Sequence, residues 1–451
     1  MQLQMHMVTI EDLVPQGHFL RKLESVLDLT FVREETAHLY SRRLGRPPID
    51  PVVLVKYLLV GYLYGIPSER QIEQRVETDV AMRWYLGLDL FERVPDHSTI
   101  SQLRRRKPSF RKVFRRLFEA VVRQCIEKGL VSGKLVATDS THVKASASPG
   151  SMYLADVEAS PGTYWERLDA YEERALEELE QKTGTRRKRR VKQVKKRAKY
   201  RQRRASRTDP EAGYLNRPGK PKGMHYLSHQ TLDTEHGIIL DVAVTAGDAS
   251  DQTPYLEQME RVMGLIPVHG ATADSMYDYG LFHQVLKERG VTFYVRPMKA
   301  QPQRKVEFGR NDFVYDRERD AFLCPNGKLL TLNTVSRGSG TLHWVYTASK
   351  ADCHGCPLRE RCLSESVQHG VRRLVRSVFE DAAKANLSQA ATPEYRQALR
   401  KRQIWCEGTF AIQKWNHNLR QVLRRGLEAA EDHCLLSAVA LNLKRMIKWM
   451  S

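Results

Sequence analysis

The chain has 451 residues, enough for two or three domains, and its apolar content of 41% predicts a globular protein. The formal net charge of +20 favours a polyanionic partner, nucleic acid before acidic protein, because fields of Lys and Arg concentrate phosphate groups. No apolar run reaches the roughly 20 residues of a membrane span, and Glu11 and Asp12 stand where a signal peptide would be apolar. We therefore expect a cytoplasmic, nucleoid-associated protein and no membrane partner.

The first 130 residues are predicted to form a helical DNA-binding domain. Asp50 and Pro51 are typical of a helix start, Ser68 and Gln71 have the spacing of a capping box, and Gly129 is typical of a helix end. Apolar residues between these signals repeat at helical spacing, which indicates a packed core.

Clustered arginines end the segment at residues 95–106. A helix that begins near Ser98 would present Arg104, Arg105 and Arg106 to DNA. The alternative is an ordinary solvated basic face, because no clear helix-turn-helix pattern accompanies the arginines.

The first predicted strand, Leu135 to Ala145, carries a single acid. Its apolar start suits a covered sheet, where an ionised Asp139 is costly unless a cation or hydrogen bonds meet it. Asp139 is therefore a candidate site residue. The alternative is that it caps the turn after the strand.

A long insertion, residues 146–224, follows this strand. An acidic helix is predicted at 165–181, and a basic run extends from Arg186 to Arg207. Like charges repel each other along such a run, so we expect a solvated or disordered arm that binds phosphates without reading sequence.

Strands and helices then alternate, which predicts an α/β fold with a mixed sheet. A hairpin spans 225–245 with its turn at Gly237, and helix 254–263, strand 268–274, helix 279–289 and strand 291–297 follow. A second acid, Asp274, stands at the C-terminal end of its strand.

Four of the seven cysteines cluster in a region of short predicted strands, residues 313–362. They are Cys324, Cys353, Cys356 and Cys362. Two Cys-Pro turns are typical of zinc knuckles, so the four thiolates are candidate ligands of a structural Zn²⁺. The alternative is a set of small buried side chains.

The last part is predicted to be helical, starting at Pro393. Glu407 and Lys414 are seven residues apart and therefore share a helix face. Basic residues surround this acid, as phosphate contacts around a metal ligand would require; they are Arg402, Lys414, Arg420, Arg424 and Arg425. Ordinary solvent-facing charges are the alternative.

Three motifs together give the chain a family resemblance. They are ATDSTHVKA at 137–145, HGATADSMYD at 269–278 and RKRQIWCEGTFAIQK at 400–414, with RRGLE and ALNLKR following. In order and spacing they resemble the DDE transposases of bacterial insertion sequences, in the branch with an N-terminal helical domain and a Cys-rich insertion. The resemblance covers nearly everything from about residue 45 to the C-terminus.

The resemblance implies an RNase H-like catalytic core in which Asp139, Asp274 and Glu407 meet and bind two divalent cations, Mg²⁺ or Mn²⁺. It also implies cleavage at the ends of the element and strand transfer into target DNA. The expected partners are double-stranded DNA, both terminal inverted repeats and target, and further copies of the chain in a homodimer or higher oligomer. A nuclease that cannot join, and a decayed DNA-binding regulator, are the alternatives.

Two positions depart from the family pattern. In better-known relatives an Arg stands four residues before the Glu, whereas this chain has Gln403 there and Arg402 one residue further back. Many relatives have Gly two residues after the second Asp, where this chain has Met276.

The sequence thus predicts four segments. They are a helical DNA-binding domain at 1–130, the first part of an RNase H-like core at 131–300, a Cys-rich β insertion at 301–370 and a helical completion of the core at 371–451.

Overall fold

The computed structural model describes residues 7–39, 49–106, 108–158, 162–184, 200–298, 306–338, 340–364 and 370–450. The helices are α1 (Ile10–Leu13), α2 (Phe19–Val26), α3 (Thr30–Thr36), α4 (Pro51–Leu63), α5 (Glu69–Thr78), α6 (Val80–Leu86), α7 (His97–Arg106), α8 (Lys112–Glu127), α9 (Gly162–Thr183), α10 (Tyr255–Leu265), α11 (Gly280–Glu288), α12 (Lys350–His354), α13 (Arg359–Cys362), α14 (Glu380–Ser388), α15 (Pro393–Arg402), α16 (Gly408–Asn416) and α17 (Leu427–Met450).

The strands are β1 (Val136–Lys144), β2 (Met152–Glu158), β3 (Tyr200–Ser206), β4 (Gly213–Leu215), β5 (Gly223–Asp233), β6 (Ile239–Ala246), β7 (Gly270–Thr272), β8 (Thr292–Tyr294), β9 (Val314–Asp316), β10 (Ala321–Leu323), β11 (Leu329–Gly338), β12 (Thr341–Ala348) and β13 (Arg373–Ser377). The fold is therefore of the mixed α/β kind that the sequence predicts.

The chain divides into two compact units. The first comprises Met1–Asp156, Gln202–Val268 and Arg400–Ser451, and the second comprises Val157–Arg201 and His269–Leu399. These boundaries differ from the four predicted segments, because both units are built from separate stretches of chain.

The first unit is organised around α17. This helix packs on α4, α8 and β6 and is buried along most of its length. Its buried Asn442 side chain exchanges hydrogen bonds with both backbone groups of Ile239, at 2.9 and 2.8 Å. The N-terminal helices thus share one core with the C-terminal helix.

The sheet of the first unit carries the predicted hairpin. β5 pairs antiparallel with β1, β6 and β4. The turn between β5 and β6 contains Gly237 at a φ of +75°, a conformation that a side chain would strain. The predicted hairpin and its turn glycine are confirmed.

The second unit contains the parallel pair β7 and β8, the helices α11 and α14, and a separate antiparallel sheet in the order β13-β12-β11-β10-β9. Aromatic side chains form the core of this sheet, with α9 packed against β11 and β12. The Asp320 carboxylate accepts hydrogen bonds from Tyr315 and Tyr346 at 2.7 and 2.6 Å. Strands β9 to β12 of this sheet lie within residues 301–370, the segment predicted as a Cys-rich β insertion, and β13 lies beyond it.

The predicted basic arm is only partly described. Residues 185–199 lie outside the described residues, but Tyr200–Ser206 form β3, which pairs with β2. The expectation of a solvated or disordered arm is therefore wrong for its last residues, because strand pairing there outweighs the charge pattern. Among the described residues, no helix combines the length and apolarity needed to cross a bilayer.

Candidate active site

Asp139 lies within β1 and pairs in register with Gln230 of β5. The strand continues to Lys144, so Asp139 does not cap a turn after it. Only 17% of its side chain is exposed, and a carboxylate this buried needs partners in order to stay ionised.

Arg402 is the cation that meets Asp139. Its Nη1 donates to Asp139 Oδ2 at 2.9 Å, while the backbone N–H of Ser140 donates to Oδ1 at 2.8 Å. Both carboxylate oxygens therefore accept a hydrogen bond. A charge-assisted contact to a guanidinium favours the ionised carboxylate and fixes its orientation.

A π-helical turn, Gln403–Glu407, separates α15 from α16. Hydrogen bonds in such a turn span five residues instead of four, so it accommodates one extra residue. Arg402, five positions before Glu407, therefore returns to the helix face that a residue four positions before would occupy in an α-helix. The turn offsets the family departure at Gln403.

Glu407 ends the π-helical turn and is exposed. Lys414 follows two turns later on α16 and is half-buried. Burial lowers the pKa of Lys414, and the neighbouring Lys220 and Arg420 lower it further. The ammonium thus lies among other cations, which is a favourable environment for an anionic ligand.

Asp274 belongs to the second unit, where Ala273 separates it from the end of β7. Its carboxylate accepts the backbone N–H of Met276 at 2.8 Å and so caps the 3-10 turn Ser275–Tyr277. Met276 occupies the position of the family Gly with its side chain 50% exposed. That Asp274 joins Asp139 and Glu407 stays a prediction.

Two histidines that sequence reasoning missed lie beside Lys414. The rings of His142 and His225 are 5.6 Å apart, and burial lowers the pKa of His142 to about 4, with Lys414, His225 and Lys220 adding to the effect. His142 lies inside the motif around Asp139, so the sequence could have identified it as a site residue. The proximity of His225 could not be predicted, because it depends on the pairing of β1 with β5.

Arg104 and Arg424 face the interior of the first unit. Arg104 is only 6% exposed and forms an ion pair with Glu69. Arg424 lies 3.7 Å from the carboxylate of Asp432, and burial lowers its pKa. The expectation that Arg104 contacts DNA does not fit this placement, because its guanidinium is enclosed by protein. Arg105 lies in α7, but its side chain is outside the described residues.

The four clustered cysteines approach one another in the second unit. Burial raises the pKa of the Cys362 thiol, and Cys353, Cys356 and Cys324 raise it further against the opposing effect of Arg372.

Three of these sulfurs also accept hydrogen bonds from nitrogen donors. Lys328 N donates to Cys324 Sγ at 3.3 Å, Arg372 N donates to Cys353 Sγ at 3.4 Å, and Asn326 Nδ2 donates to Cys356 Sγ at 3.6 Å. Such donors suit thiolates, although no three of these sulfurs lie mutually within 4.8 Å.

A further group of possible metal ligands was not predicted. Within the described residues, ligand atoms of Glu73, Asp96 and His97 lie within 4.8 Å of one another. Glu73 accepts from both the backbone N–H and the ring of His97, at 3.1 and 2.6 Å, and Asp96 accepts from Ser98 N at 2.7 Å. These contacts satisfy the first N–H groups of α7, so helix capping accounts for the cluster.

Comparisons with known proteins identify two transposase domains in the chain. The family model for the Transposase domain (DUF772) matches residues 8–106, and the model for the Transposase DDE domain matches residues 323–447. No curated protein matches the chain. A solved structure, a piggyBac transposase synaptic complex with hairpin DNA, aligns at 9% identity and a TM-score of 0.34 over 94% of this chain and 72% of that chain. The two matches are to transposase domains, and together they support a DDE transposase of the insertion-sequence type.

Proposed function

We propose that the protein cleaves DNA at the ends of an insertion sequence and joins those ends to target DNA, with Asp139, Asp274 and Glu407 as its metal-binding acids. The observation that carries the proposal is the ion pair between Asp139 and Arg402, one π-helical turn before Glu407, in a chain that matches transposase domains. This ion pair connects Asp139 to the helical segment that carries Glu407.

The donor set suits a hard divalent cation. DDE transposases use divalent metal ions, and carboxylate oxygens are the ligands that magnesium and manganese prefer. When bound between such acids, two cations activate the attacking oxygen and stabilise the leaving oxygen of a phosphodiester. Arg402 keeps Asp139 ionised and oriented for that role.

The residues after Glu407 supply the phosphate contacts. Lys414 and Arg420 lie among basic neighbours on the surface of the first unit. A DNA phosphate there would relieve repulsion between the cations, which favours binding. Arg105 and the basic residues from Arg186 add salt-dependent affinity for double-stranded DNA, and further copies of the chain would complete the complex on two ends.

The test is a joining assay with purified protein, magnesium, target plasmid and a DNA fragment that carries the coding region with its flanking inverted repeats. The proposal predicts cleaved ends bearing free 3′-hydroxyls, followed by their covalent joining to the plasmid. Cleaved but unjoined ends would identify a nuclease, and bound but uncut ends a regulator. Either result contradicts the proposal.

We also propose that Cys324, Cys353, Cys356 and Cys362 hold one structural Zn²⁺, which would require their thiol rotamers to draw together. Support comes from their convergence and from the N–H donors to three sulfurs. The variant with both Cys353→Ser and Cys356→Ser should lose the zinc that metal analysis finds in wild type. Cys434→Ser, in the core of the first unit, should keep it. Zinc-free wild type that is folded would contradict this proposal.

A further inference from the structure

Trp415 is an unusually exposed aromatic residue at the end of α16. Its side chain is 74% exposed, and the guanidinium of Arg420 lies 3.7 Å from the centroid of its ring. The cation–π contact holds the indole in place, while most of the ring stays open to solvent. An exposed indole beside a cation can stack on a nucleotide base.

The backbone beneath this pair is fixed to the sheet. Lys144 N donates to Arg420 O at 3.0 Å, and Val422 N donates to Lys144 O at 2.8 Å. Immediately after α16, the buried His417 bonds to the backbone oxygen of Tyr62 at 2.8 Å. Trp415 therefore stands on an ordered support, so a ligand would not need to order it first.

The charged groups around this pair are basic. Lys414 precedes Trp415 directly, and the groups acting most strongly on its pKa after burial are Lys220 and Arg420. Lys414 and Lys220 also help to lower the pKa of His142, which places this ring near the same cations. This concentration of positive charge complements a phosphodiester next to an aromatic ring.

We propose that Trp415 and Arg420 form a stacking platform for an unpaired DNA base, while Lys414 and Lys220 bind the adjacent phosphate. The proposal rests on the proposed function and names one DNA contact within it. Every base has a face that can stack on an indole, so the platform would accept any base. In a duplex those faces are covered by neighbouring base pairs. The platform therefore selects frayed or single-stranded ends.

Binding of full-length protein to two labelled probes tests this, in buffer with EDTA and without divalent ions. One probe is a blunt duplex, and the other is the same duplex with a short single-stranded 3′ tail. Wild type should prefer the tailed probe, and Trp415→Ala should weaken binding to it about tenfold or more with little effect on the blunt probe. Trp415→Phe should retain most of the preference, because a phenyl ring still stacks.

A matched control is Trp449→Ala, since Trp449 is also a half-exposed indole, with Lys448 at 5.6 Å from its ring. It should keep the preference. Equal wild-type affinity for both probes, or a preference that survives in Trp415→Ala, would overturn the platform. A Trp415→Ala variant that changes only self-association in sedimentation would overturn it too. Failure of wild type to bind the blunt probe would instead contradict the proposed function.

Discussion

Arg402 Nη1 donates to Asp139 Oδ2 at 2.9 Å, joining residues that are 263 positions apart in the sequence. The contact links the central strand β1 to the helix that carries Glu407. The π-helical turn brings Arg402 to the face where an Arg four positions before Glu407 would lie in an α-helix.

We predict that Arg402→Ala lowers magnesium-dependent cleavage about 10- to 100-fold, the usual cost of losing a residue that orients a metal ligand. Arg402→Lys should lie between this variant and wild type, because it keeps a charge but not the fork of donors. The measurement is the single-turnover cleavage rate. Arg400→Ala, an exposed residue on the same helix, is the control. Normal cleavage by Arg402→Ala would remove the residue from the site.

Deleting Gln403 tests the π-helical turn itself. The deletion should convert the turn to a regular α-helix and place Arg402 four positions before Glu407, so we expect cleavage within about tenfold of wild type. Deleting the exposed Ala411 in α16 is the matched control, because it rotates Lys414 away from the face of Glu407. Loss of cleavage in the Gln403 deletion but not in the Ala411 deletion would contradict this account of the register.

Much of the fold was readable from sequence, because caps, hydrophobic periods and the hairpin turn are local signals. Glu407 and Lys414 share a face for the same reason. The role of Arg402 was not readable, since sequence analysis assumes a uniform helical period and the π-helical turn breaks it.

Contacts made by the tertiary fold were also hidden from the sequence. The sequence gives no sign that Arg104 is buried, because its partner Glu69 lies 35 residues earlier in the chain. It also gives no sign that Tyr200–Ser206 form a strand, because their partner is the distant strand β2. In both cases a distant segment decides the environment, and the charge pattern alone does not reveal that segment.

A buried ion pair joins the N-terminal region to α17. Arg111 Nε lies 2.8 Å from the Asp432 carboxylate, which is only 5% exposed. Asp432→Asn should lower the free energy of unfolding by about 3–5 kcal/mol, because the guanidinium groups of Arg111 and Arg424 lose the buried carboxylate that they share.

Urea denaturation measures the effect of Asp432→Asn. Glu428→Gln is the matched control, since Glu428 also pairs with Arg111 but is 77% exposed, and we expect a loss below about 1 kcal/mol. Equal effects of the two variants would contradict the view that the N-terminal helices share a core with α17. That shared core also means that removing residues 1–129 should unfold the first unit.

Stability should fall in mildly acidic solution because of buried histidines. His433 Nε2 donates to the Asn418 carbonyl at 2.8 Å, and its Nδ1 lies 2.7 Å from the Tyr62 hydroxyl, which donates to it when the ring is neutral. Burial lowers its pKa to about 4. An unfolded histidine titrates near 6.5, so between these values the unfolded state binds the extra proton. The stability is present above about pH 6.5 and is lost as the pH falls towards 4.

His433→Gln should therefore flatten the dependence of unfolding free energy on pH, by up to about 3 kcal/mol between pH 7 and 4. The exposed His354→Gln is the control and should leave the slope as in wild type. Urea denaturation across this range gives the slopes. An unchanged slope in His433→Gln would show that His433 is not neutral in the folded protein.

The central claim is that Asp139, Asp274 and Glu407 bind the same metal ions, and metal rescue tests it most directly. Asp139→Asn, Asp274→Asn and Glu407→Gln should each lower magnesium-dependent cleavage by several orders of magnitude while binding of the element end persists, because each variant loses a charged ligand oxygen.

The deciding measurement is cleavage by Asp139→Cys and Asp274→Cys in magnesium and in manganese. A thiolate ligand disfavours magnesium more than the softer manganese. We predict that both variants are inactive in magnesium and regain cleavage in manganese, with folding and end-binding unchanged. Near-normal cleavage by either variant in magnesium would contradict the account and remove that aspartate from the site.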